Sequence, residues 1–353
     1  MAGQAMSWQG RSVCITGGTG FIGGALARRL AELGAQVIIP TRDKSRIGGN
    51  GPIRYIAARD MAASLPGVSA LFNLAYDFRR SAPENISLYA KTADACAAAR
   101  VPMLVQASSI AVYDDWPLAD VTEASPCDAP GHDYKLAKRA IERDIERRVA
   151  KGQFDAVILQ PTIVYGPGSP QWADALAEKM AGGALILPDA DQGLCNGLYI
   201  DDLVSAFIAA AELERGCAER FIVSGPEAFP WNRLFAAYAE ACGATVRHER
   251  IAPFVPRPAA PPSVLSALVK RASALAASVI GTARLETLRA WAMARKPGPR
   301  IWNPAAENPK LFLGTGVAHI DKMRVHLCAP QVGAEEGIQH TRNYIRAKYT
   351  PKN

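Results

Sequence analysis

Tyr134 and Lys138 are the residues of this 353-residue chain whose types and spacing best suit proton transfer. They stand four positions apart, so an α-helix places both on one face. A tyrosine with its ordinary pKa of about 10 is a poor base at neutral pH, but a nearby ammonium favours the phenolate. Ser109, 25 residues before Tyr134, supplies a hydroxyl that can hold a substrate oxygen. Together the three residues predict acid–base chemistry at a carbon–oxygen bond.

A Tyr/Lys pair four residues apart is by itself typical of a solvated helix face. A glycine-rich segment near the N-terminus supports the catalytic interpretation of the pair. Residues 13–16 are apolar, as in a buried parallel strand, and a helical pattern follows at 25–31. Gly17, Gly20 and Gly23 stand between them. In a dinucleotide-binding turn the first glycine permits the tight bend, the second admits the pyrophosphate and the third brings helix and strand together. The N-terminus of the following helix would attract the phosphates of a dinucleotide. The alternative to a dinucleotide-binding turn is an ordinary glycine turn with no ligand.

The end of the second strand indicates which dinucleotide would bind. Residues 36–40 form that strand candidate, and NAD-binding chains place an acidic residue at its end for the ribose 2′-hydroxyl. Here Thr41 and Arg42 stand at the end, followed by Asp43 and a basic run. A hydroxyl and several cations suit a 2′-phosphate, so NADP(H) is favoured, and NAD(H) held by Asp43 is the alternative. A solvated basic loop would explain the same residues.

Taken together, these residues resemble the extended short-chain dehydrogenase/reductase superfamily, in its NAD-dependent epimerase/dehydratase branch. The resemblance extends over most of residues 11–245. The catalytic residues that it implies are Ser109, Tyr134 and Lys138. The cofactor-binding residues, including those of the glycine turn and the second strand, would be Gly17, Gly20, Phe21, Ile22, Gly23, Thr41, Arg42, Asp60, Met61, Leu74, Ala75, Tyr76, Tyr134, Lys138 and Pro161. Of these, the resemblance implies Asp60 and Met61 at the adenine and Pro161 beside the nicotinamide.

Departures from the family pattern narrow the chemistry. Dehydratases of this family carry an acid–base pair directly after the catalytic hydroxyl residue, where this chain has Ile110 and Ala111. We therefore expect hydride transfer without elimination. Many sugar-nucleotide enzymes of the family hold the diphosphate with an arginine four residues before the motif position of Tyr199, where this chain has Cys195. Gln160 also stands where the family usually has an arginine. The absence of the arginine at position 195 argues against a diphosphate-bearing substrate.

These residues predict an NAD(P)-dependent oxidoreductase or epimerase that transfers hydride reversibly at a secondary alcohol or ketone, with a sugar nucleotide as the first-ranked substrate. The alternative is a 3β-hydroxysteroid-dehydrogenase-like reductase of an apolar ketone or alcohol, which Cys195 favours. A non-catalytic NADP-sensing regulator is an alternative of another class, but a sensor has no use for a phenolate. Whether hydride leaves with the product or returns to the substrate stays open.

Composition limits the partners to consider. The net charge of +7 favours anionic ligands such as NADP. The basic residues are dispersed and no nucleic-acid-binding motif is present, which argues against nucleic acid. The seven cysteines and five histidines show no ligand spacing, so we predict reduced thiols and no metal site. With no signal peptide and no apolar run of about 18 residues, we expect a cytoplasmic protein.

The order of strand and helix patterns predicts an α/β protein. We expect a Rossmann doubly wound parallel sheet with a smaller, mainly helical C-terminal substrate lobe. The dinucleotide-binding domain would comprise residues 11–165 and 198–225, and the lobe residues 166–197 and 226–350. Residues 1–10 are expected to form an unstructured tail.

Two further features concern surfaces. After a proline-rich linker at 253–262, residues 263–296 show a basic helical pattern. Contact with a membrane surface is one interpretation, but a pair of substrate-lobe helices with solvated charges is favoured. Family members are commonly dimers through two helices, one of them the helix that carries the catalytic tyrosine, so we expect a homodimer. The exposed face of that helix would carry Arg139, Glu142, Arg143 and Glu146.

Overall fold

Seven parallel strands form the central sheet of this protein in a computed structural model, which describes residues 8–49, 51–213, 218–252 and 301–349. The described residues contain fourteen strands in all, of which β1 to β6 and β11 form the central sheet. They are β1 (Ser12–Thr16), β2 (Gln36–Thr41), β3 (Ile53–Ala57), β4 (Ala70–Asn73), β5 (Met103–Ala107), β6 (Asp155–Pro161), β7 (Ile163–Tyr165), β8 (Ala184–Pro188), β9 (Leu194–Cys195), β10 (Gly197–Tyr199), β11 (Ala218–Val223), β12 (Phe229–Pro230), β13 (Thr245–Glu249) and β14 (Ile301–Trp302). The α-helices are α1 (Phe21–Glu32), α2 (Ala82–Ala98), α3 (Asp133–Ala150), α4 (Ala175–Met180), α5 (Ile200–Glu212), α6 (Trp231–Ala241), α7 (Pro304–Glu307), α8 (Pro309–Phe312), α9 (Asp321–His326) and α10 (Ala334–Tyr349).

The strand order across the central sheet is β3-β2-β1-β4-β5-β6-β11, and every neighbouring pair is parallel. The order reverses between β1 and β4, because the chain returns from the β3 edge to the other side of β1. In sheets of this kind, ligands bind outside the carboxyl ends of the strands at the reversal. The predicted doubly wound Rossmann sheet is confirmed, and its reversal lies at the glycine turn.

Alternate residues of the central strands pack on opposite faces of the sheet. In β4, Phe72 joins a core cluster with Phe207 of α5, whereas Leu71 joins a second cluster with Tyr89 of α2 and Ile141 of α3. Helices therefore cover both faces, which explains why the strands are apolar throughout rather than alternating. Helix α3, which carries the predicted catalytic tyrosine and lysine, is fixed in this way against the sheet.

The C-terminal part of the chain holds strands as well as helices. A small parallel sheet has the order β13-β8-β14, and α6 packs against α10. The ring of Trp231 stacks on Phe235 and meets Phe312 edge-on. The prediction of a mainly helical lobe missed these strands, because periodicity alone does not distinguish a short apolar strand from a buried helix segment.

Some sequence predictions fall outside the described residues. The linker at 253–262 and the basic pattern at 263–296 both do. Of the tail predicted at 1–10, residues 8–10 are described, and there the prediction is wrong. Trp8 is buried in the core, and the guanidinium of Arg11 lies 5.2 Å from its ring centroid. The indole is buried because moving its apolar surface out of water lowers the free energy. In the described ranges, no helix is long and apolar enough to cross a bilayer.

Candidate active site

The turn between β1 and α1 is so tight that two of its positions require glycine. Gly17 adopts φ +73°, and a Cβ there would lie 2.9 Å from backbone atoms of Leu74 and Ala75. A Cβ on Gly23 would overlap the carbonyl oxygen of Gly17. The N–H of Gly20 closes the turn by donating to the same oxygen at 3.0 Å. The close approaches are those that a dinucleotide cradle needs.

Helix α1 begins at this turn beside the carboxyl end of β1. Its N-cap is Gly20, whose extended backbone (φ −84°, ψ 179°) has no side chain to engage the first N–H groups. The N–H groups of Phe21, Ile22 and Gly23 therefore suit an anion. The cradle fits the pyrophosphate of the nicotinamide dinucleotide that the sequence predicts.

The loop after β2 uses Asp43 to cap its own turn. The carboxylate accepts hydrogen bonds from the Ser45 hydroxyl at 2.6 Å and the Ser45 N–H at 3.0 Å, and these bonds lower the pKa of Asp43. Arg42 is 78% exposed in its side chain and pairs with Asp77 at 3.4 Å. The cation of this loop is thus more accessible to a ligand than the carboxylate.

The remaining predicted cofactor residues follow the carboxyl ends of four strands. They are Thr41 at the end of β2, Asp60 and Met61 after β3, Leu74, Ala75 and Tyr76 after β4, and Pro161 at the end of β6. Because parallel strands end at one edge, the sheet brings all of them to the same side as the glycine turn.

A buried polar chain that the sequence analysis missed crosses these strand ends. Thr16 donates to Asn73 Oδ1 at 2.5 Å, and Asn73 Nδ2 donates to Gln106 Oε1 at 2.8 Å. Gln106 Nε2 donates at 2.6 Å to the carbonyl of Ala107, which also accepts from Lys138 Nζ at 2.8 Å. One polar residue in each of three apolar strands is the signal that could have revealed it. The chain joins the cofactor turn to the lysine.

The structure brings Ser109, Tyr134 and Lys138 together. Ser109 begins a short 3₁₀ turn, Ile110–Val112, and its Oγ accepts from the Ala111 N–H at 3.2 Å. Tyr134 lies in the first turn of α3 and forms a hydrogen bond with Ser109. Lys138, one turn further on, is only 4% exposed, and its Nζ lies 5.6 Å from the centroid of the Tyr134 ring.

Burial dominates the protonation of this group. It raises the pKa of Tyr134, although the hydrogen bond with Ser109 acts in the opposite direction. It lowers the pKa of Lys138 to about 8, while the carboxylate of Glu142 acts to raise it. Tyr134 therefore holds its proton at neutral pH, in the form that can donate to a substrate oxygen. The pKa of Tyr134 therefore moves in the direction opposite to the sequence prediction, because desolvation of the phenol outweighs the effect of the nearby ammonium.

Aromatic rings surround the Tyr134 phenol. Tyr76 meets it edge-on, with ring centroids 4.9 Å apart. Phe78 stacks on it at 5.5 Å with an interplanar angle of 23°, although the Phe78 residue is 76% exposed. His132 lies nearly parallel at 6.3 Å. Phe78 is not among the residues predicted from the sequence, where its only signal is an aromatic side chain two positions after Tyr76.

Glu142 is buried, so the exposed helix face predicted to carry it is wrong at this position. It is 0% exposed, because it lies one turn beyond Lys138 on the side of α3 that faces the sheet. The Arg139 side chain is also mostly buried, at 12% exposure, and donates to Glu142 at 2.7 Å. Arg143 is exposed, and Glu146 is half-buried and 3.8 Å from Arg220.

The positions that depart from the family pattern are closed to a ligand or carry no acid–base group. Cys195 is 0% exposed, and burial raises the pKa of its thiol well above the ordinary value. Ile110 is buried in the core, and neither it nor Ala111 can exchange a proton. In the part of the chain that the structure describes, no three metal-ligating side chains cluster, and the six described cysteines are free thiols.

Comparisons with known proteins agree with this architecture. Residues 13–223 match the model of a family described as the NAD dependent epimerase/dehydratase family. The chain is 29% identical over 265 residues to a 3-diazoavenalumate denitrifying reductase from Streptomyces sp, covering 69% of this chain and 86% of that protein. It is 29% identical over 253 residues to a 2-alkyl-3-oxoalkanoate reductase from Stenotrophomonas maltophilia (strain K279a), covering 66% and 76%. The solved structure of MoeE5 with UDP-glucuronic acid and NAD superimposes with a TM-score of 0.68 at 19% identity, covering 95% of this chain and 99% of that one, and shows the shared fold.

Proposed function

Since this chain belongs to the NAD-dependent epimerase/dehydratase family and is an enzyme of the extended short-chain dehydrogenase/reductase type, we propose that it reduces the ketone of an apolar substrate to a secondary alcohol, with NADPH as cofactor. The observation that carries the proposal is the ring of Phe78, which stacks on the Tyr134 phenol while 76% exposed. An apolar surface beside the proton donor suits a hydrocarbon or aromatic substrate better than a hydrated sugar phosphate.

The substrate side of the site supports the same choice. At position 195, where many sugar-nucleotide enzymes of the family have an arginine, this chain has a thiol inside the core. A diphosphate would have to find its charge partner elsewhere. Two of the curated relatives are reductases by name, and the name of one specifies an alkyl oxoalkanoate. A ketone on an alkyl chain is consistent with the buried Cys195 and with the name of the second relative.

The catalytic step follows from the protonation states. The Ser109 and Tyr134 hydroxyls hold the ketone oxygen, and Tyr134 donates its proton as the carbonyl carbon takes up hydride. Lys138, held by the carbonyl of Ala107, stabilises the resulting phenolate through its charge. The reduced nicotinamide supplies the hydride when it is bound. The carbonyl gains one hydride and one proton and becomes a secondary alcohol.

The dinucleotide would be held by the glycine turn, by the residues that follow the strand ends and by Lys138 at the nicotinamide ribose. We propose NADP(H) because the Arg42 guanidinium is exposed, whereas Asp43 is engaged by Ser45. The alternative, NAD(H), would need Asp43 to leave these hydrogen bonds for a ribose hydroxyl.

Sugar-nucleotide epimerisation is the second candidate. The observation that favours it is the TM-score of 0.68 over nearly the whole chain with MoeE5, whose structure holds UDP-glucuronic acid and NAD. An epimerase returns hydride to its substrate and consumes no cofactor, whereas a reductase oxidises one NADPH for each alcohol formed. The two candidates therefore differ in stoichiometry.

The test is to incubate the full chain with NADPH and either 2-alkyl-3-oxoalkanoates, simple aryl ketones or UDP-glucose, and to follow cofactor absorbance and product together. We expect stoichiometric NADPH oxidation with an apolar ketone, and loss of that activity in Tyr134→Phe. Conversion of UDP-glucose without net cofactor oxidation would overturn the reductase proposal. An equally active Tyr134→Phe variant would show that the tyrosine is not the proton donor.

We also propose a homodimer formed through α2 and α3. These helices pack side by side, and each exposes one leucine, Leu88 at 37% and Leu136 at 44%. Analytical ultracentrifugation of the purified chain and of a Leu88→Glu/Leu136→Glu variant tests this. A dimer that becomes a folded monomer in the variant is expected; a monomeric unmodified chain would contradict it.

A further inference from the structure

Glu142 is a buried carboxylate that the catalytic step above does not use. It is 0% exposed, and Ser108 and Gln160, which contact it, are 3% and 0% exposed. Burying a charged group far from water costs free energy unless it is well paired and hydrogen-bonded. Glu142 lies one turn after Lys138 on the same side of α3. Its buried charge is therefore close to the proposed active site.

Three donors converge on this carboxylate. The Ser108 hydroxyl and Gln160 Nε2, the latter at 2.9 Å, donate to Oε1, and Arg139 Nη1 donates to Oε2 at 2.7 Å. The Tyr113 hydroxyl donates to Gln160 Oε1 at 2.7 Å, which turns the amide NH₂ towards Glu142. A carboxylate offers lone pairs to all three donors, and the Arg139 guanidinium adds a positive charge beside it.

The carboxylate joins the two arms of the catalytic group. Ser108 immediately precedes Ser109, and its N–H donates to the carbonyl of Leu159 at 2.7 Å. Lys138 donates to the carbonyl of Ala107 and feels the negative charge of Glu142. One side chain therefore contacts the strand end that presents the serine and acts on the helix turn that presents the lysine.

We propose, on the basis of the proposed function, that Glu142 is a positioning residue of this site: pinned by Ser108, Gln160 and Arg139, it keeps Lys138 in its charged form and holds the Ser109 strand end against α3. Burial alone would drive Lys138 towards the neutral amine, which could not stabilise a phenolate. The pKa of Lys138, about 8, reflects this balance. The other charged or titratable groups around the arrangement lie on several elements. They are Tyr134 and Arg139 of α3, Tyr76 after β4, Tyr113 after β5, Glu123 and Arg220, which act on Tyr113, and Cys127 and Asp128, which act on Arg139.

The test measures Lys138 directly in the full-length protein without substrate or cofactor. Protein labelled with ¹³C at lysine Cε is titrated by NMR, and the Lys138 signal is assigned by its loss in Lys138→Met. In Glu142→Gln the midpoint should fall by roughly one pH unit. The matched control Glu146→Gln, which makes the same change one turn further along α3, should leave the midpoint unchanged.

A second variant keeps the test decisive if Glu142→Gln fails to fold. Glu142→Asp keeps the negative charge but shortens the side chain by one methylene. The Lys138 midpoint should therefore fall by less than it does in Glu142→Gln. An unchanged midpoint in whichever of the two variants folds would overturn the proposal. A structural role alone would lower the melting temperature without moving this midpoint.

Activity provides the second readout and separates this proposal from the proposed function. If ketones are reduced, the alkaline limb of kcat/KM, which reports the free enzyme, should move to lower pH in Glu142→Gln by the same amount as the Lys138 midpoint. If no ketone is reduced by the unmodified enzyme, the reductase proposal fails, while the NMR titration still decides the role of Glu142.

Discussion

The rings of Phe78 and Tyr134 stack with centroids 5.5 Å apart, although one belongs to the loop after β4 and the other to the first turn of α3. The stack places an exposed apolar surface beside the phenol that we propose as the proton donor. Stacked aromatic pairs contribute about 0.5–1.5 kcal/mol beyond the burial of their area. The stack therefore stabilises the position of the loop over the tyrosine. We expect a substrate that contacts the phenol to contact Phe78 as well.

Phe78→Ala should weaken the binding of an apolar ketone more than it slows the chemical step. Removing the ring loses apolar contact worth about 1 kcal/mol, or roughly a fivefold rise in KM, with kcat changed less. Steady-state kinetics with a series of ketones of increasing alkyl length measures the effect. Val325→Ala, at an equally exposed residue on α9, is the control. A fall in kcat at constant KM would assign Phe78 to catalysis rather than to substrate binding.

The kcat/KM for ketone reduction should fall as the pH rises through about 8. The pKa of Lys138 is lowered to about 8 by burial, and that of Tyr134 is raised above its ordinary value of 10. The lysine thus titrates first, and above its pKa the neutral amine no longer stabilises the phenolate. The pH profile of kcat/KM measures this limb in the free enzyme. A single alkaline limb near pH 10 or higher would instead indicate that the charge of Lys138 is not needed.

The stability of the fold should change with pH in the opposite sense. Between about 8 and 10.5 the unfolded chain keeps the Lys138 proton while the folded chain has lost it. The unfolded state then binds more protons, so this group makes the free energy of unfolding rise with pH across that window. Denaturant titrations at several pH values, on the unmodified chain and on Lys138→Met, isolate the contribution. The slope attributable to this group should disappear in the variant; a slope of the same size there would refute the assignment.

Arg42→Ala should weaken NADPH binding without changing NADH binding. A guanidinium–phosphate contact is a charge-assisted hydrogen bond, and its loss should raise the Kd for NADPH about tenfold or more. Fluorescence titration with both cofactors measures the ratio. Arg46→Ala, which removes a neighbouring cation paired with Asp43 at 3.2 Å, is the control and should change the ratio less. Equal loss for both cofactors would argue that Arg42 does not read the 2′-phosphate.

Gly23→Ala should disrupt the cofactor turn, whereas Gly24→Ala should be tolerated. A Cβ at Gly23 would overlap the carbonyl oxygen of Gly17, while one at Gly24 would meet Arg28 Nη1 and the Gly18 carbonyl at ordinary distances of 3.6 and 3.7 Å. We expect a loss of about 1–3 kcal/mol in the free energy of unfolding and weaker cofactor binding in the first variant. The second should be neutral or slightly more stable, because alanine favours the helix. Thermal unfolding with and without NADPH compares them, and identical behaviour of both variants would contradict the close approach at Gly23.

Local pattern was sufficient for the cofactor half of the molecule. The strand at 13–16, the glycine spacing, the following helix and the Tyr/Lys pair at i and i+4 are short-range features, and each depends on backbone geometry that neighbouring residues determine. The Rossmann sheet followed from them and is confirmed. Trp8, the strands β8 and β13, and the burial of Glu142 could not be predicted in this way, because each depends on contacts with residues far away in the chain.

The sequence by itself determined which candidate groups this protein has for chemistry: a serine, a tyrosine and a lysine that follow a glycine turn of the dinucleotide-binding type. Only the tertiary structure decided their state. Packing removed water from Tyr134 and Lys138 and so shifted both pKa values against the charged forms. It also brought Phe78 from one loop onto the phenol and placed Glu142 in the core beside Ser108. Desolvation and long-range contact are properties of the assembled molecule, and no spacing along the chain encodes their magnitude.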